Sequence, residues 1–175
     1  MACDLTAGRL HPCKTVGGIK NIYFVNFANS IYTGITTDAD DQITGFGTAL
    51  TLYKYELRGA QSFDETDETS ADAGTTFWST NGTITLKDQD IKTRKEMKLM
   101  AATRPVVITE GYDGKYKMYG IQNGCDVAVS TASGANMGDF NGYNLVITAS
   151  EKEPAYFVDS TIIGDTINST VTEGV

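Results

Sequence analysis

Hydrophobic and polar residues alternate with a period of two along much of this chain, the pattern of a pleated strand with one buried face. Tyr116, Met118 and Gly120 alternate with Lys117 and Tyr119. Asp113-Gly114 stands between that run and Val106-Val107-Ile108. Glycine tolerates the positive φ of a tight turn, so the two runs read as a β-hairpin. Val127 and Val129 lead into a loop rich in Ser, Gly, Ala and Asn. Asn141-Gly142 then opens a strand over 143–149, with Tyr143, Leu145 and Ile147 on one face. After Glu153-Pro154 comes a short apolar strand, 155–158. The tail 159–175 alternates weakly through Ile162, Ile163, Ile167 and Val171, as one more strand or a mobile end.

The first half begins with an irregular arm, 1–18, broken by Gly8, Pro12, Gly17 and Gly18. Residues 20–28 (KNIYFVNFA) form a strand that is apolar on both faces, with Ile22 and Phe24 on one and Tyr23, Val25 and Phe27 on the other. Such a strand is buried on both sides, or on one side against a neighbouring subunit. Ile22, Tyr23, Phe24, Val25 and Phe27 are therefore the candidate inter-subunit strand. A short return strand is expected at 31–36 and a second long strand at 46–58. In the latter, the face of Leu50, Leu52, Lys54, Glu56 and Arg58 turns from apolar to charged, as in a strand that leaves a core for a protruding ribbon.

Residues 59–76 (GAQSFDETDETSADAGTT) are the least hydrophobic segment and read as a long acidic loop, either floppy or ordered against a partner. Its candidate contact residues are Phe63, Asp64, Glu65, Asp67, Glu68 and Asp72. A strand over 77–87 follows, with a bend at Asn81-Gly82. Asp88 or Asp90 caps a helix reaching about Thr103, and Pro105 forbids its continuation. Ile91, Met97, Met100 and Ala101 give the helix an apolar stripe. Lys92, Arg94, Lys95 and Lys98 make its other side basic, either a solvated face or the partner of an acidic loop from a neighbouring chain.

Composition narrows the function. With 175 residues, 41% hydrophobic, and 18 glycines against three prolines, the chain fits a single turn-rich β domain over 1–175. A formal net charge of −8 disfavours a basic groove for nucleic acid. No apolar run is long enough to span a membrane, and the N-terminus lacks the basic-then-apolar order of a secretory signal. Synthesis in a cytoplasm is expected. Cys3, Cys13 and Cys125 are an odd number and read as free thiols. His11, the sole histidine, leaves no basis for a nucleophilic triad or a zinc site. Asp38, Asp40 and Asp41 lack the glycine and distal glutamate of a Ca²⁺ loop. Trp78, Tyr53 and Tyr55 read as packing rather than a sugar platform. No catalytic residue, metal or cofactor is expected.

Against this pattern, the opening MACDLTAGRLHPCK, the strand KNIYFVNF, and the run from DGKYKMYGIQNG through SGANMGDFNGYNLVITASEKEPAYFV resemble the tail tube proteins of long-tailed bacteriophages. That family closes in a similar phrase: a Gly-rich turn, a strand of the form GYxLxIT, an acidic residue, Pro, and a short aromatic strand. The resemblance implies two packed antiparallel sheets, sandwich- or barrel-like, with one flanking helix. It implies six copies in a ring closed by strand pairing, and rings stacked into a hollow virion tail. Loop 59–76 would then reach the adjacent ring. The implied partners are further copies of the chain, a sheath or terminator protein and the baseplate. DNA would pass through an acidic channel without specific binding. Tube proteins of contractile injection systems share this fold. The alternative is a virion binding module: a head decoration, neck or fibre-associated domain.

Overall fold

A computed structural model describes residues 7–10 and 13–174. Cys3, His11 and much of the arm predicted at 1–18 lie outside the described residues. The fold is mainly β, with two packed open sheets. The eight-stranded sheet runs β12-β4-β1-β7-β8-β11-β3-β2. Its members are β1 (Ile19–Val25), β2 (Thr36–Thr37), β3 (Ile43–Gly45), β4 (Leu50–Glu56), β7 (Val106–Gly111), β8 (Tyr116–Tyr119), β11 (Tyr156–Val158) and β12 (Ser169–Glu173). The four-stranded sheet runs β5-β6-β10-β9, built from β5 (Ser62–Ser70), β6 (Thr75–Lys87), β9 (Asp126–Ala132) and β10 (Gly142–Glu151). Neither sheet closes into a barrel.

Alternation along the strands creates two cores. Ile22, Phe24, Val107 and Tyr119 leave one face of the large sheet and meet Ile84, Leu86, Tyr143, Leu145 and Ile147 from the small one. On the opposite face, Tyr23, Val25, Leu52, Ile108 and Met118 pack with Ile31, Ile43, Phe46 and Ile121. The Asp113-Gly114 hairpin forms as expected, with Gly114 at φ +78°. The second helix, α2 (Ile91–Ala102), starts on Asp90, whose carboxylate accepts hydrogen bonds from the Lys92 and Thr93 amides at 3.0 and 3.3 Å. Met97 and Met100 bury its inner side. Ile91 and Ala101 instead face solvent, which narrows the expected stripe to the two methionines.

Several expectations need correcting. Residues 31–36 are not mainly a return strand. A short helix, α1 (Asn29–Gly34), occupies most of them, and only β2 at the end is extended. The β-branched residues favour a strand locally, but the helical turn drops Ile31 into the second core, and Gly34 packs against Phe46 and Gly47. The long strand over 46–58 is shorter, and the bend at Asn81-Gly82 is absent because β6 pairs continuously with β10 across it. The tail forms β12, lying parallel to β4. Buried Ser169 fixes it: its hydroxyl donates to the Ile162 carbonyl at 2.7 Å and accepts from the Gly164 amide at 2.8 Å.

Candidate functional site

The segment 59–76 is not a loop. Half of it is β5, hydrogen-bonded to β6 in an antiparallel ladder from Ser62–Thr83 to Ser70–Thr75. Its polarity hid the strand, because one face of β5 looks outward and part of the other lies beyond the core. Phe63 provides the anchor. Its ring lies over Gly82 on β6 and meets the Tyr119 ring at 5.0 Å. Glu65 is also committed, accepting the Ala155 amide at 2.6 Å. Asp67 accepts from the hydroxyls of Thr69 and Thr76. Asp64, Glu68 and Asp72 remain exposed.

Pairing between β6 and β10 ends at Trp78–Glu151, whereas β5 and β6 stay paired to Ser70–Thr75. The hairpin therefore projects beyond the sheet as a two-stranded ribbon, turning through 71–74, with Phe77 exposed. Three further residue pairs at about 3.4 Å each carry it roughly 10 Å out before the turn.

The expected inter-subunit strand lies elsewhere than at a surface. β1 pairs with β4 on one edge and β7 on the other, so it offers no free ladder. Ile22 and Phe24 fill the first core, Tyr23 and Val25 the second. The doubly apolar pattern reports two intramolecular cores, not a neighbouring chain. Phe27 is half-buried beyond the strand, with the Arg104 guanidinium 5.3 Å over its ring.

The eight-stranded sheet ends in the short strands β12 and β2, and the four-stranded sheet has the two longer open edges. Neither β5 nor β9 has a second ladder partner among the described residues. The face of this sheet turned away from the core carries Ser79, Asn81, Thr83 and Thr85 on β6, Asn144, Val146 and Thr148 on β10, and Ala128 and Ser130 on β9. Its charges are Asp64, Glu68 and Asp126, with Lys87 at the end of β6. The side chains are short and the face is sparsely charged. Thr85 and Asn144 hydrogen-bond across it at 3.2 Å.

Lys92, Arg94, Lys95 and Lys98 are all exposed along α2 and enter no ion pair among the described residues. The helix packs against β9, so this basic group flanks one open edge while the acidic strand forms the other. Sequence reasoning missed β9 as an edge, because edge position depends on strand order.

The remaining polar chemistry is structural in its contacts. Buried Glu110 accepts from Asn21 Nδ2 at 2.7 Å, Tyr23 Oη at 2.8 Å and Lys20 Nζ at 3.3 Å. Burial pushes its carboxyl up, but these donors together hold it below the ordinary carboxylate value. Glu151 accepts the successive amides of Ile121, Gln122 and Asn123 at 2.9–3.1 Å, closing the turn between β8 and β9. Cys125 is buried, and burial pushes its thiol far up, while Cys13 is exposed. An open groove of about 500 Å³ beside β5 is lined by Phe63, Asp64, Lys115, Lys117 and Phe157. Lys117 Nζ sits 5.0 Å over the Phe157 ring. No cluster of His, Cys, Asp and Glu suited to a metal occurs among the described residues, and no described helix is long and apolar enough to cross a membrane.

Comparison with family models, curated proteins and solved structures returned no match to this chain.

Proposed function

We propose that this chain is a structural, non-enzymatic subunit of a virion tail tube, joining copies of itself edge to edge into a ring. Rings stack into a hollow channel through which DNA leaves the particle. One observation carries the reading: the four-stranded sheet with two open edges and a short-chained outward face. Its strands alternate direction, and four is an even number. Repeating the unit head to tail therefore sets β9 of one copy antiparallel to β5 of the next, without a break in alternation. Ring closure removes the edges that leave an open sheet prone to aggregation.

Six copies place twenty-four strands around the channel. At about 4.8 Å per strand, the backbone radius is roughly 18 Å, with more if the strands tilt. The outward face becomes the wall. Asp64, Glu68 and Asp126 outnumber Lys87 there, so phosphates meet little countercharge and the duplex slides. The ribbon beyond Trp78 is the element long enough to reach an adjacent ring.

A second reading rests on one observation. Asp64, Glu65, Asp67 and Glu68 line the edge strand β5, and charge on an edge is also how monomers keep sheets apart. On that reading the chain is a monomeric virion binding module. Negative-stain electron microscopy and light scattering of the concentrated protein separate the two. Rings or tubes with a central hole are expected. A monomer at every concentration, unresponsive to tail baseplate or seed tubes, overturns the tube and leaves the binding module.

A further inference from the structure

The two open edges of the small sheet differ in charge, and the helix beside one of them carries cations that enter no ion pair among the described residues. On α2, the residues opposite buried Met97 and Met100 are Ile91, Lys95, Lys98 and Leu99, with Lys92 and Arg94 at the margins. Ile91 is 88% exposed and Leu99 50%. A helix that turns two large apolar residues and four cations to solvent has a face suited to cover. Gln89 and Asp90 tie the start of this helix to the small sheet. Gln89 Nε2 donates to the Ala132 carbonyl at 2.9 Å, and Tyr143 Oη donates to the Asp90 carbonyl at 3.4 Å. Helix and β9 thus travel as one unit.

A strand added to the free edge of β9 must run alongside α2, which lies on the core side of the sheet. β5 presents Asp67 on that same side, since Asp67 shares a face with Phe63. Asp64 and Glu68, on the other face, lie close enough to add to the local field within a Debye length of about 10 Å.

We propose that the lateral contact between copies places the acidic edge strand β5 of one copy against the basic, partly apolar face of α2 on the next. The occupant of the α2 face is a second copy of this chain. The contact is head to tail, so each copy contributes its acidic strand on one side and its helix on the other. Like charges then disfavour the wrong pairings, β5 with β5 and α2 with α2. This inference rests on the ring reading and specifies which surfaces form its joint.

The test uses the full chain and two charge-reversed variants: D64K/D67K/E68K on the strand and K92E/R94E/K95E/K98E on the helix. All seven positions are exposed. Assembly is followed by mass photometry and electron microscopy. Each variant alone is expected to need about tenfold more protein to form rings, or to form none. An equimolar mixture is expected to recover wild-type assembly with a one-to-one composition, because the reversed strand of one variant meets the reversed helix of the other. Wild-type rings should also weaken as salt rises, a measurement independent of whether the variants fold. Rings formed by both variants at the wild-type concentration, or a salt-insensitive wild type, overturn this contact and leave the ring standing. A wild type that never forms rings overturns both.

Discussion

At the scale of single residues, Gly82 and Glu110 give the clearest tests. A Cβ on Gly82 would enter the Phe63 ring, which is already held against Tyr119. Gly82→Ala is therefore expected to lower stability by about 1–3 kcal/mol in urea denaturation, as overpacking does. In a Phe63→Ala background the same change is expected to cost less, since the clash is gone. Glu110 tests the polar network. Its folded-state value is depressed, so its contribution is present above the unfolded value of about 4.3 and is lost as pH falls through the folded one. Glu110→Gln should flatten the acid side of the stability profile. Glu110→Ala should cost about 1–3 kcal/mol at neutral pH, because it strands the buried donors of Asn21 and Tyr23.

At the scale of elements, the ribbon is separable from the fold. Replacing 68–77 by an Asn-Gly turn between Asp67 and Trp78 keeps every pair between β6 and β10. Stability is expected to change by no more than about 0.5 kcal/mol, while tubes give way to single rings under the microscope. Long tubes from this variant would remove the inter-ring role assigned to the ribbon. The C-terminal strand behaves oppositely. A stop after Gly164 removes β12 and both hydrogen bonds of buried Ser169, so a loss of about 1–3 kcal/mol is expected by thermal melting. Short-range pattern revealed the hairpin around Asp113-Gly114, the helix after Asp90 and the strand through Tyr143, Leu145 and Ile147. Each carries its own turn, cap or alternation. β5 was hidden because Phe63 is its one large apolar residue, and α1 because its turn is held by a contact between Gly34 and Gly47, distant in sequence.

At the scale of the whole molecule, the proposed channel wall makes a further prediction. Asn81→Lys with Thr83→Lys adds two cations to the outward face without touching either core. Tubes carrying them are expected to retain DNA in a filter-binding assay that wild-type tubes pass, with retention lost as salt rises. Equal passage through both tubes would mean that this face does not line the lumen.

Alternation, turn residues and capping are local properties, and so the chain's residues alone specified a β-rich domain with one long helix and a hairpin at Asp113-Gly114. The meaning of the doubly apolar Ile22–Val25 run was not local. A strand between two cores of its own chain and a strand buried against a neighbour share one pattern, and only the placement of β4 and β7 on either side of β1 separated them. The same holds for the acidic strand and the basic helix. Both charge clusters are plain in the residues, but their position at opposite edges of one sheet follows from the order β5-β6-β10-β9, set by pairings between residues far apart in the chain.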